Sequence, residues 1–352
     1  MKIEIFKPLN FTRSELDLHK LSQKTGKKWQ YASSGKNALF HCLVSLGVKG
    51  KILIPTYVCP SILLPINELL LDIVYYDIDT DDFNININDF NNKIEKNNIS
   101  CVMVASMYGN PANLIKVEQI CKEKDILLID DAAQSFGAKL CDRYVGTFGD
   151  AGFFSFSPGK ATSGHMGAFF WSKNKSYKIK KTYNNFFHLI IYWNFYFNRY
   201  KIYKYKKYVI FNIFKYIIVF FNKFKDLKYD DIAPFEKPIL GGILKANELS
   251  RFREEYISEL IEEFGDNSHF KIINGKRGQS NTHKIVLLFS DPSSASLYKS
   301  FFLNNQVYYS DGYELLDQKH CINALSVKDR VIELPLEDDY EKFCAIKSIL
   351  KN

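Results

Sequence analysis

The chain has few cysteines, and none of them are arranged to pair. Its seven, at positions 42, 59, 101, 121, 141, 321 and 344, are odd in number and nowhere spaced Cys-x-x-Cys. That excludes a disulfide framework and a cysteine-held zinc site, and it fits a reducing compartment. No metal is expected. Glycine and proline are also scarce, at 18 and 10 of 352 residues, while apolar residues make up 46%. A disordered or low-complexity chain is thereby excluded, and the length allows two domains around sizeable cores. No internal repeat is evident. The opening Met1-Lys2-Ile3-Glu4-Ile5 lacks the charged and apolar segments of a signal peptide, so the cytoplasm is the expected compartment.

Acidic residues are missing locally. Residues 173–228 hold fourteen Lys/Arg and one acid, Asp226, so the net charge of +8 is confined to them and the rest of the chain is −5. The same segment carries nineteen of the 54 aromatic residues. Long apolar runs are absent as well. The longest are about six residues, far below the ~20 that cross a bilayer. Over 184–198, Asn184, His188, Asn194 and Asn198 share one narrow stripe, and over 208–224 Asn212, Lys215, Asn222 and Lys223 do the same. The spacing predicts two helices with wide apolar faces. Two readings follow. One is a membrane-surface contact through residues 184–224, aided by anionic headgroups. The other is a helical hairpin buried at a dimer interface. His188 is read as an interruption of an apolar face.

Residues 30–170 alternate apolar strands with helical stretches, which predicts an α/β fold with a mostly parallel central sheet. Strands are expected at Lys51–Ile54, Leu71–Tyr76, Ser100–Ala105, Ile126–Asp130, Gly152–Phe156 and Gly167–Trp171. Helices are expected at Asn37–Leu46, Ser61–Leu70, Asn88–Asn97 and Leu114–Lys124. The large domain is placed at 1–233, including the insert at about 173–228. A smaller α/β domain is placed at 234–352, with a helix near Asn247–Phe264 and strands near His283–Phe289 and Arg330–Leu334.

One pairing carries chemistry. Leu128-Ile129-Asp130-Asp131-Ala132-Ala133-Gln134 is followed, about thirty residues on, by Phe154-Ser155-Phe156-Ser157-Pro158-Gly159-Lys160. A lysine in a Pro/Gly turn and a carboxylate at a strand end are what a pyridoxal 5'-phosphate (PLP) site requires. The amine bonds the cofactor aldehyde, and the carboxylate keeps the pyridine nitrogen protonated. A surface lysine and a helix-capping aspartate are the bland alternatives for either residue alone. Ser33-Ser34-Gly35-Lys36-Asn37-Ala38-Leu39 adds small residues at a predicted helix start, where backbone N–H groups and the helix dipole favour an anion. Such a frame gives a basic-aromatic insert no purpose in binding nucleic acid.

With these residues in place, the chain resembles the DegT/StrS-type sugar aminotransferases, PLP fold type I enzymes, well over about 30–171 and weakly over 232–352. Further motifs carry the resemblance. They are Leu53-Ile54-Pro55-Thr56-Tyr57-Val58-Cys59-Pro60, Tyr76-Asp77-Ile78-Asp79 with Phe83-Asn84-Ile85, Met107-Tyr108-Gly109-Asn110-Pro111, and Gly146-Thr147-Phe148-Gly149-Asp150. The resemblance implies Lys160 as the Schiff-base lysine and Asp131 at the ring nitrogen. It also implies Gln134 at the phenolic oxygen, and Ser155 with the Gly35-Lys36 backbone at the phosphate. The aromatic that usually stacks on the ring is replaced by Cys59, which leaves Tyr57 as a candidate cover. His165 follows the lysine closely, and Asn247 and Arg251 are the remnants of a segment that reaches a partner subunit. The implied activity is amino transfer from an amino acid, usually glutamate, to a nucleotide-linked keto-sugar, in a homodimer, for a surface glycan. A membrane-bound insert would instead favour a lipid-diphosphate-linked sugar. A dehydratase branch of the family tends to lose the lysine, and a non-catalytic PLP- or sugar-binding protein is the remaining alternative.

Overall fold

In the computed structural model the described residues are 18–157, 160, 167–177, 181–182, 230–231, 252–336 and 339–351. The two helices expected over 184–224, His165, Asn247, Arg251 and the boundary at 233/234 lie outside them.

The large domain is built on seven strands: β1 (Gln30–Ala32), β2 (Lys51–Pro55), β3 (Asp72–Tyr76), β4 (Ile99–Ala105), β5 (Leu127–Asp131), β6 (Ala151–Ser155) and β7 (Ala168–Ser172). Their order is β1-β7-β6-β5-β4-β2-β3, and only β7 runs against the others. The carboxyl ends of β1, β2, β4, β5 and β6 therefore open on one edge. A mostly parallel sheet covered on both faces needs strands apolar on both sides, and β4 (Ile-Ser-Cys-Val-Met-Val-Ala) is such a run. The period-two alternation then sorts each strand between two cores. Ile52, Ile54, Cys101, Met103, Ile129, Phe153 and Phe170 face one, while Leu53, Val102, Val104, Leu128, Phe154 and Phe169 face the other.

Helix α1 (Leu18–Thr25) precedes β1, and α2 (Gly35–Leu46) follows it. Ser34 caps α2, accepting the Asn37 N–H, and Gly47 ends it in the left-handed region at φ 65°. Helix α2 covers the first core together with α3 (Leu63–Glu68); α4 (Ile87–Lys96) and α5 (Leu114–Glu123) cover the second. The helix expected over 61–70 is shorter because Leu70 turns to φ 53°.

The smaller domain has its own four-stranded sheet. Strands β8 (Phe270–Ile272), β9 (Lys284–Phe289), β10 (Ser310–Asp311) and β11 (Val331–Pro335) lie in the order β8-β9-β11-β10. A helix over 252–264, α7 (Pro292–Asn304) and α9 (Tyr340–Leu350) pack on it in a third core, with the short α8 (Ile322–Ser326) between β10 and β11; the first of these is α6. Val286, Leu288, Leu315 and Val331 also join the first core, so the small domain seats on the α2 side of the large sheet.

Candidate active site

Strand alternation decides which of the two aspartates faces the site. Asp130 turns to the α5 side, where its Oδ2 accepts N–H bonds from Gly146 at 2.6 Å and Phe148 at 3.1 Å. It thereby fixes the Gly146–Asp150 turn, where the Trp171 indole also donates to the Gly146 carbonyl at 2.6 Å. That motif is scaffolding behind the sheet. Asp131, the last residue of β5, turns to the other side. Its Oδ1 accepts the Ala133 N–H at 2.9 Å, and among the described residues Oδ2 accepts no hydrogen bond. Burial raises the Asp131 carboxyl to about 6, while the Ala133 N–H and the charge of Lys160 pull it down.

Lys160 follows β6 on the same edge. Its backbone N–H donates to the Ser157 carbonyl at 3.3 Å, and its side chain is partly buried. Burial lowers the amine below its ordinary value; Cys59 and Asp131 oppose that, Lys284 adds to it, and Glu333 opposes it. The expected lysine and carboxylate are thus within electrostatic reach of each other.

The N-terminus of α2 meets β6 directly. A Cβ on Gly35 would lie 3.1 Å from both Cβ and Oγ of Ser155, so only glycine allows this approach without displacing the serine. Ser155 Oγ donates to Ser157 Oγ at 3.2 Å. The N-terminus of a 12-residue helix beside two hydroxyls suits an anion. Lys36 lies in its first turn, partly buried.

Gln134 is buried against the turn after β4. Its Oε1 accepts the Tyr108 N–H at 3.3 Å, and among the described residues its Nε2 donates only to the Met107 thioether at 3.5 Å, a weak acceptor. Tyr57 sits elsewhere than its sequence position suggests. Only 2% exposed, it packs on Phe83 and Tyr313, and its hydroxyl pairs with that of Tyr108 at 2.8 Å. Cys59, by contrast, is half-buried beside the site.

Several residues here have partners that no local sequence pattern indicates. Tyr108, in the left-handed region at φ 56°, donates its hydroxyl to Glu333 Oε1 at 2.7 Å across the domain joint. Glu333 Oε2 accepts from Ser310 Oγ at 2.8 Å and from Lys284. Tyr313 donates its N–H to the Tyr57 hydroxyl at 3.2 Å. Among the described residues no group of acids, cysteines and histidines is arranged to hold a metal.

The residues fit PLP. Asp131, a buried residue, has a carboxylate oxygen that accepts no hydrogen bond among the described residues, and a protonated ring nitrogen would satisfy it. The Gly35/Ser155 cradle suits a phosphate, and Lys160 supplies the amine.

The chain is similar to known proteins. A GDP-perosamine synthase of Escherichia coli O157:H7 is 31% identical over 144 residues, 39% of this chain and 39% of the relative. A Campylobacter jejuni transaminase of UDP-4-amino-4,6-dideoxy-N-acetyl-beta-L-altrosamine is 28% identical over 148 residues, 41% of this chain and 39% of the relative. The alignments thus span about two fifths of these relatives. The solved structure of E. coli GDP-4-keto-6-deoxy-D-mannose-3-dehydratase with bound hydrated PLP superposes with a TM-score of 0.72 at 15% identity, covering 94% of this chain and 90% of that one. This confirms the expected type I fold. The pattern of one family matches residues 19–205, more than half of the chain and every large-domain motif above: the chain belongs to the DegT/DnrJ/EryC1/StrS aminotransferase family.

Proposed function

We propose that the chain is a PLP-dependent aminotransferase that moves an amino group from an amino acid, glutamate by family resemblance, to a keto-sugar carried on a nucleotide. The observation that carries this is Lys160 on the carboxyl edge of the sheet, within electrostatic reach of the buried Asp131 and on the same edge as the Gly35/Ser155 cradle. When bound, PLP supplies an electron sink at its ring. Asp131 holds the ring-nitrogen proton through a charge-assisted bond. The α2 N–H groups at Gly35 and Lys36, with the Ser155 hydroxyl, orient the phosphate. Gln134 Nε2, tied among the described residues only to a thioether, turns toward the phenolic oxygen. Lys160 takes and returns the proton at its Nζ, and burial suits the amine to this by lowering its affinity for a resident proton.

Amino transfer is favoured over dehydration by Lys160 itself. The names of the two curated relatives support a nucleotide-linked sugar, and the family resemblance supports a role in surface-glycan synthesis. The basic, aromatic insert favours one second reading, a lipid-diphosphate-linked acceptor met at the inner membrane face by a cytoplasmic, peripheral homodimer. No helix among the described residues is long and apolar enough to cross a membrane. Deleting residues 180–226 abolishes liposome flotation if the insert binds lipid, and splits the dimer if it packs there instead.

The direct test is an absorbance spectrum of wild type and Lys160→Ala before and after glutamate. A PLP band that needs Lys160 and bleaches with glutamate supports transamination. A protein that takes up no PLP refutes it.

A further inference from the structure

The wall beside Lys160 carries a cysteine at position 59, and a planar cofactor ring needs a flat apolar partner there. The small domain brings one. Its segment 312–317 runs antiparallel to the residues that follow β2. Leu316 N–H donates to the Thr56 carbonyl at 2.9 Å, Leu315 bridges Tyr57, and Asp317 N–H donates to the Thr56 hydroxyl at 3.0 Å. Two residues before Leu315, Tyr313 reaches back to Tyr57, and Cys59 lies two residues beyond Tyr57 on the facing segment.

Tyr313 is held firmly in that place. Its N–H donates to the Tyr57 hydroxyl at 3.2 Å, and its ring meets that of Tyr57 edge-on at 5.7 Å. A Cβ on the preceding Gly312 would come within 2.3 Å of the Tyr57 hydroxyl, so this approach needs glycine. Tyr57 and Tyr108 are buried, but Tyr313 is only partly so, and of the three it keeps an accessible surface.

We propose that Tyr313, carried by the small domain, is the aromatic wall of the Lys160 site and lies against the ring of bound PLP, the place Cys59 is too small to fill. Electrostatics agrees. Burial pushes the Tyr313 hydroxyl up, and Glu333, Cys59, Tyr57 and Asp131 push it the same way. Two of these, Cys59 and Asp131, are the groups that most strongly hold up the Lys160 amine. The inference rests on the PLP reading above.

The test is equilibrium dialysis of PLP against the full-length apoprotein, with circular dichroism of the bound PLP band. Tyr313→Leu is expected to loosen PLP about threefold to tenfold, the range of an aromatic stacking contact, and to shrink the dichroic band. Tyr313→Phe should stay within about twofold of wild type, since the ring is retained. A leucine variant with wild-type affinity and an unchanged band overturns the inference while leaving the PLP reading intact. Should that variant not fold, Tyr313→Trp takes its place. Stacking predicts that PLP quenches its extra fluorescence, and unquenched emission overturns the proposal. A wild-type protein without a Lys160-dependent band removes the PLP reading and this inference together.

Discussion

Replacing Glu333 tests whether the domain joint is held by one buried charge. The carboxylate is 4% exposed and joins both domains: Oε1 accepts from Tyr108 at 2.7 Å, and Oε2 accepts from Ser310 at 2.8 Å and from Lys284. The Lys284 side chain is 20% exposed, so losing its partner leaves a largely desolvated ammonium. Removing one member of a fully buried pair costs about 3–5 kcal/mol. The partial exposure of Lys284 and the remaining Tyr57 partner of Tyr108 place Glu333→Ala near the lower end, about 3 kcal/mol. Glu333→Gln keeps an acceptor for Tyr108 and should cost about 1–2 kcal/mol. The double change Glu333→Leu/Lys284→Met removes both charges and should recover most of the loss, because an apolar pair incurs no desolvation penalty for charge. Urea unfolding of wild type, Glu333→Leu, Lys284→Met and the double variant gives the coupling energy, expected at about 2 kcal/mol. Costs that add within about 0.5 kcal/mol would refute the claim that the two charges depend on each other.

Gly109→Ala should be among the most damaging single-atom changes, since φ is +88° and the new Cβ would sit 2.2 Å from the Asn281 carbonyl oxygen. A loss of about 3 kcal/mol in urea unfolding is expected from strain and the displaced joint, and a loss under 1 kcal/mol argues against it. Asp131 gives a pH signature in the apoprotein. Its folded carboxyl is raised to about 6 from 3.8, so the native state keeps a proton that the unfolded chain releases, and stability falls as pH rises between those values. The wild-type minus Asp131→Asn difference should change by about 2 kcal/mol over that window, and a flat difference contradicts the raised carboxyl. PLP binding, which needs the carboxylate, should tighten as pH rises through about 6. Ser155→Ala should weaken PLP by about tenfold through one lost charge-assisted hydrogen bond, read by dialysis, and an unchanged constant would place the phosphate elsewhere.

What the sequence revealed and what it hid differ by how far apart the partners lie in the chain. The carboxyl edge of the sheet, Asp131, Lys160 and the Gly35/Ser155 cradle follow from short patterns in which strand, turn and helix start are adjacent. Even the choice of Asp131 over Asp130 follows from period-two alternation, once one core is assigned. Tyr57 shows where such reasoning stops. Taking it as a cover for the ring in place of Cys59 requires the two to share a strand face, yet β2 ends at Pro55 and Cys59 opens a 3-10 turn at φ −57°, ψ 121°. Past Pro55 the backbone no longer alternates, so Tyr57 enters the joint and Cys59 borders the site. Glu333 is harder still. It meets Tyr108 across 225 residues of sequence, and a glutamate inside the apolar strand Val-Ile-Glu-Leu-Pro reads as solvent-facing until a second domain covers it. Tyr313 has the same origin, because its place depends on a register between segments about 258 residues apart. The chemistry of the lysine and the carboxylate is therefore local, while the shape of the pocket around them is set by how the small domain docks. Substitutions at Glu333, Gly109 and Gly312 should accordingly alter how tightly the site grips its ring without touching the lysine proposed to move the proton.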